Sequence, residues 1–446
     1  MGLTGLEIFK QLPKTNCKEC GQPTCLAFAM QLAAGKAGLD ACPYVSAAAR
    51  EALDSASAPP VALVKIGVGE KAFELGNETV LFRHDKRFEH PTGIAIQVSD
   101  KMSADEVKAK VAKINKLVFD RVGQTHEVNL VAVVNDSGDA AKFADTAKLV
   151  QENTAYPLLL ISSNAGAMEK ALDVAGANKP VVYAADASNY EAMVALAKKF
   201  EAPLVVKGDN LDSLADLVAK VTALGYKNLI LDSGARELAK VIADQTQIRR
   251  QALKLFRPFG YPTIAFANNA DPIVESLNAS TFVAKYAGIV VMTTAEPEYI
   301  LSVITLRLNV YTDPQKPIAV ESKIYELLNP GPDAPVLITT NFSLSYFCVA
   351  GDTEASRVPS YVVTVDTDGI SVLTAWAAGK FTPESIADTV KKLGVMEKVN
   401  HNKIIIPGGV AVLSGKTAEL TGCEVIVGPR ESAGIPSFFK QRWLNQ

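Results

Sequence analysis

An excess of charge of either sign is missing from this chain: 45 Lys and Arg stand against 48 Asp and Glu, a net charge of −3. That balance sets up no long-range field suited to nucleic acid or an anionic membrane, so neither is an expected partner. Long apolar runs are missing too, and none approaches the length that spans a bilayer. The first residues lack the charged, apolar and small-residue order of a signal peptide. They read Met1-Gly2-Leu3-Thr4-Gly5-Leu6, without the Ser or Thr of a myristoylation pattern. A cytoplasmic protein is the expectation. Histidine is scarce: His84, His90, His126 and His401 are the whole set. Cysteine numbers only six, expected to be reduced thiols in such a compartment. Four of the six crowd into the first forty-two residues, the first functional signal.

What is present is ordinary globular material, 48% hydrophobic and 21% charged. A chain of 446 residues is too long for one core, so two or three domains are expected. Residues 1–57 read as a small α-helical module. Leu3, Leu6, Ile8 and Phe9 begin it, and residues 26–34 continue with small and apolar side chains at helical spacing. Its core is too small to fold on packing alone. The run Ser55-Ala56-Ser57-Ala58-Pro59-Pro60 interrupts every periodicity and leads into a linker assigned to residues 58–92.

From residue 93 the pattern becomes short β-rich runs separated by amphipathic helical stretches. The runs fall at 93–98, 129–134, 157–161, 180–184, 203–206, 228–231, 262–266 and 288–292. Eight buried strands, each followed by a helix, predict a TIM (β/α)8 barrel over residues 93–328. Each run ends in polar residues, among them Ser99, Asn135-Asp136, Ser162-Ser163, Asp186, Lys207, Asp232, Asn268-Asn269 and Thr293-Thr294. In a barrel these gather at the C-terminal mouth. A second break, Asn329-Pro330-Gly331-Pro332-Asp333, opens residues 329–446, where strands at 336–339, 361–365, 403–406 and 424–427 alternate with helices. That is a small doubly wound α/β unit, whose ligands lie beyond the strand C-termini. Its candidate binding loops are Thr340-Asn341-Phe342-Ser343, Asp366-Thr367-Asp368-Gly369, Pro407-Gly408-Gly409 and Gly428-Pro429-Arg430-Glu431-Ser432-Ala433-Gly434. From residues alone such Gly-rich turns are common in α/β units that bind nothing in particular.

Cys17, Cys20, Cys25 and Cys42 are spaced C-x2-C-x4-C-x16-C, with Pro43 directly after. Four thiolates suit either an iron-sulfur cluster or a structural zinc, since both metals bind sulfur. A single short pair followed by a third cysteine four residues on fits a 4Fe-4S cube with three ligands on one loop, whereas two C-x2-C pairs would have favoured zinc. Gly21 and Pro23 help the loop wrap closely. Cys348 and Cys423 read as buried small hydrophobes. The cluster of Arg83 to His90 reads as a docking patch or, on composition, as a solvated loop. The segment Phe438-Phe439-Lys440-Gln441-Arg442-Trp443 suits a subunit interface or a capping helix.

Together these features resemble the large (gamma) subunit of the corrinoid iron-sulfur protein of the reductive acetyl-CoA pathway. The resemblance covers essentially the whole chain. It is carried by the cysteine spacing, by Arg83-His84-Asp85-Lys86-Arg87-Phe88-Glu89-His90-Pro91, by Ser371-Val372-Leu373-Thr374-Ala375-Trp376, and by the run from Gly428 to Pro436. It implies a heterodimer with a smaller subunit and a corrinoid between the two. The cobalt would take a methyl group from a methyltetrahydrofolate methyltransferase and pass it to acetyl-CoA synthase. It also implies that Ser371, Leu373, Thr374 and Ala375 join the corrinoid-contacting residues, with Thr374 near the lower cobalt face. No catalytic side chain is assigned. The D-x-H-x-x-G string by which many corrinoid domains supply a histidine ligand does not occur here. A base-off cobalamin-type corrinoid without a histidine ligand is therefore expected. A cobalt spared that nitrogen is easier to reduce to Co(I), so a low-potential cluster can return Co(II) to service. Two other readings remain open: a self-sufficient barrel methyltransferase acting on a pterin with a structural metal site, and a plain electron carrier.

Overall fold

A computed structural model describes residues 5–33, 37–46, 49, 53, 59–121 and 124–444. Leu3, Ala34 and the stretch 55–58 lie outside the described residues. The chain divides into two compact units. One comprises residues 1–81, 89–114 and 129–294; the other comprises 82–88, 115–128 and 295–446. No helix among the described residues is long and apolar enough to cross a membrane.

In the first unit the N-terminal segment folds as the helices Gly5–Gln11 and Cys25–Ala33 with a short turn at Leu39–Ala41. Ile8, Leu12, Phe28 and Ala29 bury one small core together with Cys25 and Cys42. So few apolar side chains supply little burial energy, which leaves the cysteines room to matter. A hairpin follows, β1 (Val64–Ile66) against β2 (Phe73–Leu75), inside the segment read as linker. Its strands are three residues long, too short for an alternating pattern to register.

The barrel staves begin with β3 (Gly93–Ser99). The hairpin of β4 (Val118–Arg121) and β5 (Gln124–Glu127), which belongs to the second unit, comes next in sequence. The remaining staves are β6 (Leu130–Val134), β7 (Leu158–Ile161), β8 (Val181–Ala185), β9 (Leu204–Lys207), β10 (Leu229–Asp232), β11 (Thr263–Phe266) and β12 (Ala287–Met292). All eight pair in parallel and close, with β12 against β3. The expected (β/α)8 barrel is thus present, each stave within a residue or two of its expected place. Val64, Ile66 and Leu75 of the β1–β2 hairpin join Ala95, Leu130, Leu159 and Val181 in the barrel's interior core. Within the same unit the buried Glu78–Arg249 ion pair, 3.3 Å, anchors the strap at Glu89 and His90, whose amides donate to the Glu78 carboxylate.

The second unit holds a five-stranded sheet in the order β13–β15–β14–β16–β17. These are β13 (Ile324–Leu327), β14 (Val336–Thr340), β15 (Ser360–Val365), β16 (Lys403–Ile406) and β17 (Glu424–Val427). The last four are parallel, as expected. β13 adds an antiparallel edge that precedes the Pro- and Gly-rich break and carried no strand signal. Side chains alternate across the sheet as the pleat demands. Val336, Ile338, Ile404 and Ile406 face one apolar cluster, while Leu337 and Ile405 face the other. Both faces are therefore covered, and the unit is doubly wound.

Two further segments can be placed here. Arg83 is no free basic group: its guanidinium donates to the carbonyls of Val310 and Thr312 at 3.1 and 3.0 Å, capping the end of the helix Pro297–Tyr311. Phe439 is fully buried and Trp443 packs edge-on against His401, so the terminal aromatic segment packs on this sheet.

Candidate functional site

The cysteine loop lies between the first two helices and bends through left-handed backbone at Lys14, Asn16, Lys18 and Gly21, with φ of 59°, 51°, 67° and 75°. Where left-handed residues alternate with right-handed ones, successive N–H groups turn toward one side, the arrangement that cradles anions and cluster sulfurs. Asn16 shows the result. Its amide donates to Cys25 Sγ at 3.4 Å, and its side-chain oxygen accepts from the Cys25 amide at 2.8 Å. Cys25 and Cys42 are buried, Cys20 is half-buried and Cys17 is exposed. Tyr44 ties the ends of the loop: its hydroxyl donates to Glu19 at 2.8 Å. That bond raises the phenol above its ordinary range. Among the described residues no three cysteine, histidine or carboxylate side chains converge tightly enough to hold a metal. The fit to a metal-sulfur group therefore rests on sulfur as the donor type and on the Asn16 amide that donates to Cys25.

The second site lies where the strand order of the α/β sheet reverses, between the C-terminal ends of β14 and β16. There a cavity of about 390 Å³ opens. Its floor is Leu337, Ile338, Ile405 and Ile406, and its walls come from Ser371 and Leu373, from Pro407 and Gly409, and from the run Gly428 to Ser432. Three predicted loops are thus brought to one place. Glycine makes this possible: a Cβ on Gly408 would lie 2.4 Å from the Gly428 carbonyl oxygen, and the Gly408 amide donates to the Pro429 carbonyl at 2.9 Å. Gly434 is similarly tight, its would-be Cβ 2.7 Å from the Pro429 ring. Beside the cavity the hydroxyls of Thr340 and Ser343 are buried without a hydrogen-bond partner. Unsatisfied buried hydroxyls are costly, and both lie just behind the lining residues Thr339, Phe342 and Leu344 rather than in the cavity wall. Arg430 and Glu431 stand exposed at the rim, as does Ala433.

Other predicted residues act from behind. The Asn341 amide is committed to the neighbouring loop: it donates to Asp366 at 2.9 Å and accepts from the amides of Thr367 and Gly369 at 2.9 and 3.1 Å. Gly369 itself sits at φ +73° against Ala319. Ala375 is fully buried in the core, whereas Thr374 is exposed and shares a 3.0 Å hydrogen bond with the Ser371 hydroxyl. One expectation is overturned. Cys348 is exposed and lines the cavity, because the helix Ser343–Ser356 turns that face, with Leu344, toward the opening. Cys423 is buried as expected. The apolar floor and the helix wall at Leu344, Ser345 and Val349 were missed, since a strand's inward residues look alike whether they meet core or ligand.

His401, the histidine of this sheet, stands at the opposite end of β16. Its ring nitrogens meet the Ala334 carbonyl at 2.9 Å and the Lys403 amide at 3.1 Å. Both are engaged away from the cavity.

The barrel mouth is held together by its own polar groups. Asp232 accepts from Tyr183 at 2.7 Å, from Arg236 at 2.8 and 3.1 Å, and from the Gly234 amide at 2.8 Å. Burial pushes the Tyr183 phenol far up, with the Asp232 charge adding to it. Arg236 also stacks over Phe266.

Residues 63–439 match the family described as "CO dehydrogenase/acetyl-CoA synthase delta subunit", and residues 12–44 match one described as "Putative Fe-S cluster". The chain is 55% identical over 439 residues to the corrinoid/iron-sulfur protein large subunit of Moorella thermoacetica, covering 98% of each. It is 34% identical over 458 residues to the acetyl-CoA decarbonylase/synthase complex subunit gamma of Methanopyrus kandleri, covering 99% of this chain and 98% of that one. Among solved structures, 7,8-dihydropteroate synthase from Vibrio fischeri ES114 aligns with a TM-score of 0.38 at 13% identity, over 50% of this chain and 95% of that one.

Proposed function

Because this chain belongs to the CO dehydrogenase/acetyl-CoA synthase delta-subunit family, we propose that it is the large subunit of a cytoplasmic corrinoid iron-sulfur protein, a methyl-carrying component of acetyl-CoA synthesis. It works as a heterodimer with a small subunit, between a methyltetrahydrofolate methyltransferase and acetyl-CoA synthase. When bound, the corrinoid supplies a Co(I) centre that takes up and hands on the methyl group, and a 4Fe-4S cluster supplies the electron that restores it after oxidation to Co(II). The chain's own residues bind and orient. Cys17, Cys20, Cys25 and Cys42 hold the cluster, with the Asn16 amide supporting the Cys25 sulfur. The apolar cavity between β14 and β16 would take part of the corrinoid's nucleotide tail, held by Ser371, Leu373, Pro407, Gly409 and the run from Gly428 to Ser432, with Thr340 and Ser343 behind them. Ser371 orients the Thr374 hydroxyl. Residues 1–57, 93–328 and 329–446 serve as cluster, scaffold and corrinoid domains.

The observation that supports the histidine-free part of this assignment is His401. With both ring nitrogens hydrogen-bonded at the far end of β16, it has no reach to a ligand at the cavity. The pterin methyltransferase reading is less well supported, since the Asp232 carboxylate already meets four internal donors. The test is anaerobic purification of the heterodimer with iron, zinc and cobalt analysis and electron paramagnetic resonance of the Co(II) form. About four irons and one cobalt are expected from four thiolates and one corrinoid fold, with no nitrogen splitting on cobalt. Cys20→Ala should lose the cluster and reductive reactivation while keeping the cobalt. Zinc in place of iron, or nitrogen splitting, sinks the assignment.

A further inference from the structure

β12, the eighth barrel stave, is followed by two threonines whose amides converge on a carboxylate supplied by the chain itself. Glu275 lies in the first turn of the helix Pro272–Ala284 and is fully buried. One of its oxygens accepts from the Thr293 amide at 2.6 Å and from the Thr293 hydroxyl at 2.7 Å. The other accepts from the Thr294 amide at 3.0 Å. Lys110, on the helix Ala104–Ile114, is lowered by burial, and the Glu275 charge opposes that pull. Two amides and a hydroxyl around a pair of oxygens form an oxyanion seat. It sits among the loops that follow the last two staves, where barrels with anionic ligands gather their phosphate donors. Thr293 and Thr294 are themselves half-buried.

We propose that Glu275 is a ligand surrogate built into the barrel, filling an oxyanion seat that would otherwise accept the phosphate or carboxylate of a small molecule. A carboxylate fixed on the same fold presents itself at an effective concentration of about a millimolar or more. A free anion at ordinary levels does not displace it. The seat is thereby closed, and this barrel works as a scaffold that leaves anionic metabolites alone.

The test uses full-length Glu275→Ala and Glu275→Gln beside the unmodified chain, with thermal unfolding followed in rising sodium formate and sodium phosphate at fixed ionic strength. Glu275→Ala should unfold earlier in chloride and recover saturably by roughly 2–4 °C with formate or phosphate. The unmodified chain and Glu275→Gln, whose amide oxygen still fills half of the seat, should not respond. Equal stabilisation of the unmodified chain overturns the proposal, because the anions then act elsewhere. Absence of rescue in folded Glu275→Ala overturns it as well. If Glu275→Ala does not fold in chloride, refolding in formate supports the seat, and failure to refold in either anion rejects it.

Discussion

Replacing Gly408 with Ala should dismantle the α/β cavity while leaving the chain's chemistry untouched. The added Cβ would meet the Gly428 carbonyl oxygen at 2.4 Å, the Pro429 carbonyl carbon at 2.8 Å and the Arg430 nitrogen at 2.9 Å. Each obstacle is backbone, so no side chain can swing aside. To regain even a tight 3.0 Å contact the loop after β17 must recede by about 0.6 Å, which strains or breaks the Gly408 amide bond to Pro429. Overpacking costs roughly 1–3 kcal/mol and the lost bond about 1 more. For a unit of this size that is a drop of roughly 5–15 °C in the melting temperature. Gly415→Ala is the matched control. It lies in the helix Ser414–Thr421 of the same unit with nothing within 4 Å of its would-be Cβ. There alanine should stabilise by about 0.5–1 kcal/mol through helix propensity. Thermal unfolding and cobalt content of both variants, measured side by side, decide the matter. If Gly408→Ala melts and loads like Gly415→Ala, the close approach of the two loops does not shape the cavity.

Asn341→Ala should cost on the order of 2–3 kcal/mol, because it strands the buried amides of Thr367 and Gly369; chemical denaturation measures it, and Asn341→Asp, which keeps the acceptor but faces Asp366, should fall between the two. His126 makes stability depend on pH. Burial, then the Arg307 charge, holds its imidazole below the ordinary range, with Asp120 opposing. Below about pH 6.5 the unfolded chain takes a proton that the native chain refuses, so stability falls as pH drops through that value. His126→Asn should flatten the stability profile between pH 7 and 5, and an unchanged slope would contradict the assignment.

The sequence by itself determined the repetitive parts. Eight buried runs of Val, Ile and Leu, each closed by a polar residue and followed by an amphipathic stretch, admit little besides a parallel barrel, because βαβ crossovers bury both faces of every stave. The cysteine spacing is likewise local chemistry, since ligands on one short loop need no distant partner to be recognised. Tertiary structure decided whatever depends on which strands become neighbours. The β1–β2 strands are too short for a pattern and β13 lies ahead of the break that marks the α/β unit, yet all are fixed by the cores they complete. The exposure of Cys348 follows from how one helix turns at the cavity edge, and the engagement of His401 from a carbonyl 67 residues away. Composition marks a carboxylate as present, but only the assembled barrel shows that Asp232 and Glu275 already hold their partners, because hydrogen bonds between distant segments exist only after the chain has closed.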